Sequence, residues 1–291
     1  MFDFEYSAAK TVEEAVSLLL EKGSQARVLA GGTDILVQLR GGRRRVERLV
    51  DIKDIPEANQ LSYDSQGGLT LGSAVPCYRI YQDETVCQAY PGLIDAASMI
   101  GGIQIQGRAT LGGNMCNSAP SADGIPPLIA LRATCLLAGP NGNREVPAEE
   151  FCTAPGQNII QGGEFLVSIQ IPPPPRHSGA HYLRFIPRNE MDIAVVGVGS
   201  SVVLDENGRF FVAARISLAS VAPTPVLVGE AGAALEGREV TDTAIEDAAE
   251  AAMAAARPID DMRGTIRQRR HLVGVLTRRT LRVAIERAKE N

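Results

Sequence analysis

The chain has 291 residues, 45% of them hydrophobic and 22% charged, which suits a globular protein long enough for two or three domains. A formal net charge of −5 argues against a nucleic-acid surface. No apolar run reaches the ~18 residues needed to span a bilayer, so the expectation is a cytoplasmic chain without a transmembrane segment.

The first fifty residues read as alternating strand and helix. A strand over 2–6 leads to a helix whose N-cap is Thr11, with Glu14 three residues on as in a capping box and Gly23 closing it. Val12, Ala15, Val16 and Leu19 give that helix one apolar face. A strand over 26–30, a short helix over 34–40 and a strand over 49–52 complete a small βαβ-type unit. Between them, Arg43, Arg44, Arg45 and Arg48 follow two glycines and read as a solvated loop, with subunit docking as the alternative.

A second segment carries a strand over 69–72, helices over 78–86 and 93–100, and a helix over 127–133. A turn at Pro140-Asn141-Gly142 and a strand over 165–171 end it. Pro172 to Pro175 form the clearest linker, because a proline run can neither continue a helix nor donate to a sheet. Beyond it, 193–203 and 210–220 read as an antiparallel hairpin around Asp205-Glu206-Asn207-Gly208. Helices over 226–235, 242–256 and 266–290 follow, the last with Leu272, Val275, Leu276 and Val283 on one side. Three units are therefore expected, 1–55, 56–174 and 175–291.

Much standard chemistry is absent. There is no Gly-Lys-Ser/Thr phosphate loop and no Gly-x-Ser-x-Gly elbow. Gly197-Val198-Gly199 lies inside a strand-like run, which fails the context of a dinucleotide fingerprint. Of the three histidines, His177 and His181 are four apart, yet they follow four prolines and no His-Glu-x-x-His pattern supports them as metal ligands. Cys77, Cys87, Cys116, Cys135 and Cys152 form no Cys-x-x-Cys and read as reduced packing residues. Such a chain is a binding module, or it borrows its chemistry from a cofactor.

What remains is two glycine-rich turns. In LAGGTDI (29–35), Gly31-Gly32 stands between an apolar strand and a helix start. In TLGGN (110–114), Gly112-Gly113 is followed by Asn117, Ser118 and Asp123. A Gly-Gly pair permits positive φ and close approach to the main chain, and exposed N–H groups there form an anion nest without any lysine. Two such turns can grip a diphosphate from opposite sides, with Asp123 available to ribose hydroxyls. That points to a dinucleotide bound outside the usual nucleotide fold.

Five stretches carry a family likeness in one order: AGGTDILVQLR (30–40), RATLGGNMCNSAPSAD (108–123), MDIAVVGVGSSV (191–202), ASVAPTP (219–225) and RPIDDMRGTIRQRRHLVGVLTRR (257–279). Together they resemble the FAD-binding, or medium, subunit of molybdenum hydroxylases, the group that includes CO dehydrogenases and xanthine dehydrogenases. The resemblance implies an α+β fold: a two-subdomain FAD-binding region of the vanillyl-alcohol-oxidase (PCMH) type, then a C-terminal domain of a small antiparallel sheet and helices. It implies FAD held through Ala30, Gly31, Gly32, Thr33 and Asp34 on one side and Thr110, Gly112, Gly113 and Asn114 on the other. Asp123 is implied on the adenosine or ribitol side, and Leu166 beside the flavin. Arg184 falls where the family commonly has a lysine at the pyrimidine edge of the ring. Ile193 replaces a tyrosine of CO dehydrogenases, which places the chain nearer the xanthine dehydrogenase-like branch. Val28, Leu29, Ile35, Ile100 and Ser118 complete the implied set.

The family often reads Gln-Ile-Arg-Asn where this chain has Gln104-Ile105-Gln106-Gly107, which removes any contact made by that arginine. No cysteine-bearing insertion of the 4-hydroxybenzoyl-CoA reductase kind is visible, so FAD is expected as the only cofactor here. The molybdenum cofactor and [2Fe-2S] clusters are expected in a large and a small partner subunit, in a dimer of heterotrimers. The expected role is electron transfer from those clusters to an external acceptor. A scaffold that has lost FAD and a stand-alone flavin oxidase are the rivals.

Overall fold

The computed structural model describes residues 3–188 and 191–291. The chain opens with β1 (Glu5–Ala8), α1 (Val12–Lys22), β2 (Ala26–Leu29), α2 (Ile35–Arg40) and β3 (Arg48–Asp51). The three strands form a parallel sheet in the order β1-β3-β2, the βαβ-type unit that the alternation predicts. Thr11 Oγ1 accepts from Glu14 N at 3.2 Å, and the Glu14 carboxylate accepts from Lys10 N at 2.7 Å. The capping residues are those expected, with the glutamate reaching one residue further back than in a standard box. Ala15, Val16 and Leu19 are buried as the helical spacing requires. The expected strand over 2–6 runs later, and Phe2 lies outside the described residues.

The next stretch holds β4 (Leu61–Asp64), β5 (Gly68–Gly72), α3 (Cys77–Gln82), α4 (Glu84–Ala89), α5 (Pro91–Ala97), α6 (Ile103–Gln106), α7 (Leu111–Asn117) and α8 (Ile125–Ala130). Then come β6 (Thr134–Gly139), β7 (Gly142–Pro147), α9 (Ala148–Phe151), β8 (Cys152–Ala154), β9 (Gln157–Asn158) and β10 (Phe165–Ile171). Five strands pair antiparallel in the order β4-β5-β10-β6-β7. The helix expected over 78–86 is two helices, because Asp83 ends the first and its Oδ1 accepts from Val86 N at 3.0 Å to cap the second. The core of the first unit is continuous with Ala138, Phe165 and Val167 of this sheet.

After the prolines come β11 (Ser178–Phe185), β12 (Val196–Leu204), β13 (Phe211–Ala219), β14 (Val226–Leu227), α10 (Gly229–Ala233), α11 (Asp242–Ala255) and α12 (Ile266–Glu290). The expected hairpin is β12–β13. It carries two strands that pattern did not reveal, β11 on its outer side and β14 at the start of what read as a helix over 226–235. Alternation along β12 serves two neighbours. The Ser200 hydroxyl meets that of Thr280 on α12 at 2.7 Å, while a Cβ on Gly199 would come within 2.9 Å of the Pro126 carbonyl at α8. The sheet is thus clamped between α12 and the middle unit.

The buried face of α12 differs from the expected one. Val273, Leu276, Thr280, Leu281, Ala284 and Ala288 are buried, whereas Leu272, Val275 and Val283 are only half-buried. Small residues win this face because β11 passes very close: a Cβ on Gly179 would lie 2.6 Å from Ala288 N. The C-terminal motif also acquires a structural reason. Arg269 is buried, donates to the carbonyls of Val195 (2.8 Å) and Ser220 (2.9 Å), and pairs with Asp261 at 2.7 Å.

Candidate functional site

A cavity of about 720 Å³ opens between the parallel sheet and the five-stranded unit, within the size range of ligand sites. Its two walls are the glycine motifs. At the end of β2 the chain turns through Ala30, Gly31, Gly32, Thr33 and Asp34, with Gly32 at φ +84°, a region that glycine alone enters freely. Among the described residues, the N–H groups of Gly31, Gly32, Thr33 and Asp34 donate to no backbone carbonyl, while Gly32 and Asp34 supply carbonyls to the first turn of α2. Four amides with no main-chain partner on one lip are what a nest for an anion requires.

The second motif departs from expectation. Gly112 and Gly113 do not form a loop; they are the first turn of α7, with Thr110 as N-cap accepting from Gly113 N at 2.8 Å. Their value is close packing rather than positive φ. A Cβ on Gly112 would stand 2.5 Å from Ser73 Cα, and one on Gly31 would stand 2.8 Å from the Arg108 carbonyl carbon, where ordinary contact begins at 3.4 Å. Arg108 Nε also donates to Gly31 O at 3.3 Å. The two motifs therefore touch through bare backbone, which sequence spacing alone did not reveal.

Of the expected site residues, Val28, Ala30, Gly31, Gly32, Thr33, Asp34, Ile35, Ile100, Thr110, Gly112, Gly113, Asn114 and Leu166 line this one cavity. Leu166 sits at a bulge in β10, where pairing with β6 shifts register and a side chain is re-aimed. Asn114 Oδ1 accepts from Gly124 N at 2.9 Å, which fixes the amide. Desolvation raises the Asp34 carboxyl above its ordinary value, although the residue as a whole is exposed.

Five expected residues lie off the cavity lining. Leu29 is buried in the core beneath it. Ser118 is fully buried and donates to Met115 O at 2.9 Å as the C-cap that follows α7. Asp123, on the connection between α7 and α8, is buried, accepting from Tyr182 Oη at 2.6 Å and pairing with Arg184. Burial pushes its carboxyl up while Arg184 and Tyr182 oppose the shift; burial and the Asp123 charge push the Tyr182 hydroxyl well above its usual value. Arg184 is thus an anchored side chain of β11, and Ile193 lies exposed beyond it.

Gln106, where the family often has arginine, is buried; its amide donates to Ser98 O (2.8 Å) and Ile100 O (3.2 Å) and so ties down the loop that carries Ile100. His181 is taken by Asp95 rather than by a metal partner. Burial lifts the thiols of Cys77 and Cys116 to about 12, which keeps them protonated. Arg48 is occupied by Glu5 and Glu21, so it does not belong to a free basic cluster.

Sequence reasoning missed a further wall drawn from the stretch 156–165, which leads up to the expected Leu166, together with Arg27, Arg44 and Ser73. The wall carries little chemistry of its own; its one signal is Gly162-Gly163, with Gly163 at φ +82° packed under Leu20.

Comparison with known proteins shows the family to which the chain belongs. Residues 2–174 match the FAD binding domain in molybdopterin dehydrogenase, and residues 181–284 match the CO dehydrogenase flavoprotein C-terminal domain. The chain belongs to the FAD-binding subunits of the molybdenum hydroxylases. It is 33% identical over 290 residues to the xanthine dehydrogenase FAD-binding subunit of Escherichia coli O157:H7, covering 99% of this chain and 98% of that one. To the carbon monoxide dehydrogenase medium chain of Hydrogenophaga pseudoflava it is also 33% identical, over 282 residues and 97% and 96% of the two chains. A solved structure of carbon monoxide dehydrogenase from the same organism superposes with a TM-score of 0.93 at 32% identity, covering 98% of each chain. Quinoline 2-oxidoreductase from Pseudomonas putida 86 superposes at 0.90 with 27% identity, over 99% and 98%.

This settles the α+β fold and FAD as the cofactor of this chain. The cavity fits FAD: a row of amides without main-chain partners, a bare-glycine junction that a Cβ would fill, and apolar sides from Val28, Ile100 and Leu166. Among the described residues no helix is long and apolar enough to cross a membrane.

Proposed function

We propose that this chain is the electron-transferring flavin subunit of a xanthine dehydrogenase-like molybdenum hydroxylase. The observation that carries this is the pairing of a built FAD cavity with an absence of acid–base machinery on its walls: the acidic residues of the lining are Asp34 and Glu164, and Glu164 is bound by Arg144 at 2.8 and 2.7 Å. FAD supplies the capacity to accept and release electrons. The chain binds the diphosphate on the Gly31–Asp34 amides, opposite the N-terminal turn of α7, and fixes both walls by the Gly31–Arg108 contact. Asp123 reaches the nucleotide only through its neighbours, because both its oxygens are engaged; Arg184, which it holds, is the group assigned to the pyrimidine edge of the ring. Arginine in place of lysine there keeps a permanent positive charge at that edge.

The reading includes a large subunit with the molybdenum cofactor, a small subunit with [2Fe-2S] clusters, their assembly as a dimer of heterotrimers, an external acceptor and a cytoplasmic location. It also divides the chain at 55 and 174. Support comes from the relatives, which are named as dehydrogenase subunits or medium chains. Ile193 in place of the tyrosine found in CO dehydrogenases favours the xanthine dehydrogenase-like branch.

The test is purification of the chain alone and then with its partner subunits. The expected result is a yellow protein with one FAD per chain, inert toward organic substrates by itself, whose flavin is bleached by substrate only when both partners are present. A colourless chain that refuses added FAD refutes the reading in favour of a scaffold. Turnover of an organic substrate by the yellow chain alone refutes it in favour of an oxidase.

A further inference from the structure

The loop that brings Ile100 to the FAD cavity, residues 98–102 between α5 and α6, is held from two sides. On one side the Gln106 amide donates to Ser98 O and Ile100 O. On the other it meets Met191, which stands on the connection between β11 and β12. A Cβ on Gly102 would come 3.0 Å from Met191 Sδ, and one on Gly101 would come 3.8 Å from the same sulfur. The thioether thus rests where side chains on this glycine pair would be. Met191 is also at φ +54°, in the left-handed region that a residue with a side chain occupies only where its surroundings hold it. Gly101 is at φ +62°, and two glycines released from that contact have the backbone freedom to shift Ile100.

Met191 is at the same time 50% exposed, so reagents in water reach it, whereas Met115 is fully buried. We propose that Met191 is an oxidation site through which peroxide loosens the hold on FAD. The thioether lone pair attacks one oxygen of hydrogen peroxide and the O–O bond breaks. Sulfur is oxidised to the sulfoxide, and peroxide is reduced to water. The product is larger by one oxygen and polar, so it turns to water instead of resting on bare glycine backbone. Ile100 is then tied by Gln106 alone, its wall of the cavity moves more freely, and FAD leaves more readily. The inference takes FAD as what the cavity holds and does not depend on where its electrons go.

The test uses the FAD-loaded chain carrying Met262→Leu, which removes the other exposed thioether. It is treated with dilute hydrogen peroxide and quenched with catalase. Oxygen uptake at each methionine is read by peptide mass spectrometry, and the FAD dissociation constant by flavin fluorescence. Met191 should oxidise before Met115, and the dissociation constant should rise about three- to tenfold, the loss of a packed sulfur contact. Methionine sulfoxide reductase should reverse the rise. Met191→Leu keeps an apolar side chain at the position without an oxidisable sulfur, so whatever its own FAD affinity, peroxide should leave that affinity unchanged. The proposal is overturned if Met191 stays reduced while Met115 oxidises, or if Met191 is fully oxidised and FAD binds as before. It is overturned equally if the Met191→Leu chain loses FAD to peroxide as its parent does, which would move the effect to another side chain. A chain that binds no FAD before treatment refutes the flavin reading instead. The hold on the loop is then read from protease cleavage between Ser98 and Ile103, which peroxide should accelerate in the parent and not in Met191→Leu; equal cleavage in both would refute it.

Discussion

Replacing Gly31 by alanine tests the junction on which the FAD cavity depends. The added Cβ would stand 2.8 Å from the Arg108 carbonyl carbon and 3.2 Å from Ala109 Cα, with the carbonyl oxygen nearer still. All three atoms are backbone, so no side chain can swing aside. The carbonyl oxygen sets the demand: the strand end and the residues leading into α7 must separate by more than an ångström before that atom reaches ordinary contact at 3.4 Å. Overpacking of this kind costs about 1–3 kcal/mol, which lowers Tm by roughly 2–12 °C for a unit of this size. Separation also parts the amides of Gly31–Asp34 from the wall that faces them, so the variant should purify with less FAD, and added FAD should raise its Tm less than it raises that of the wild type. The assay is thermal unfolding with and without a fixed excess of FAD, alongside FAD content from the visible spectrum. Gly107→Ala is the control, since a Cβ there meets nothing within 4 Å and its φ of −67° suits alanine. A Gly31→Ala protein with wild-type Tm and full FAD would refute the account of the junction.

Other consequences are as direct. Thr110→Ala removes the cap on Gly113 N and should cost about 1 kcal/mol in a denaturant titration, with Thr110→Ser restoring most of it. Asp123→Ala strands the buried Arg184 guanidinium without its partner and should destabilise the chain by about 3–5 kcal/mol, measured by the same titration; a loss below 1 kcal/mol would show that the pair is not closed off from water. Burial raises the Asp95 carboxyl, but His181 and Arg287 outweigh it, so its folded value lies below the unfolded one. That stability is present above about pH 4 and is lost as pH falls through the folded value. Asp95→Asn should therefore flatten the acid limb of the stability–pH profile, and an unchanged slope would remove Asp95 from the account.

The parts legible in the sequence are those where local chemistry and tertiary demand agree. Phe165 to Ile171 is mostly apolar, with Ser168 and Gln170 the exceptions, is closed by Pro172, and forms β10 with the predicted ends because it is central in its sheet. The long periodic run over 266–290 likewise forms α12 with the expected bounds. Agreement fails where one neighbour overrules pattern. SGAHYLRF carries serine, two basic side chains and a glycine, yet is β11, because α12 and α5 cover it and its polar side chains find Asp95 and Asp123. Gly112-Gly113 reads as a loop by composition and is helix by packing against Ser73. In the site, the glycine motifs were legible because backbone chemistry needs glycine in any context. Arg27 and Arg44 were not, since nothing in the spacing of residues 27 and 44 says that their side chains end in one cavity.

The glycine at position 179 has a consequence for the order in which the molecule comes together. Because β11 leaves no room for a side chain there, its outer surface is finished only when Ala284 and Ala288 arrive, more than a hundred residues later in the chain. Until then the sheet presents a bare apolar face, since Val198, Val202 and their neighbours also wait for α12. Sequence-distant closure of this kind is slow and leaves unpaired surface open to other chains. Recombinant yield should therefore depend on how quickly residues 266–290 dock, and lesions in that helix should show first as aggregation during synthesis, before any change in flavin affinity.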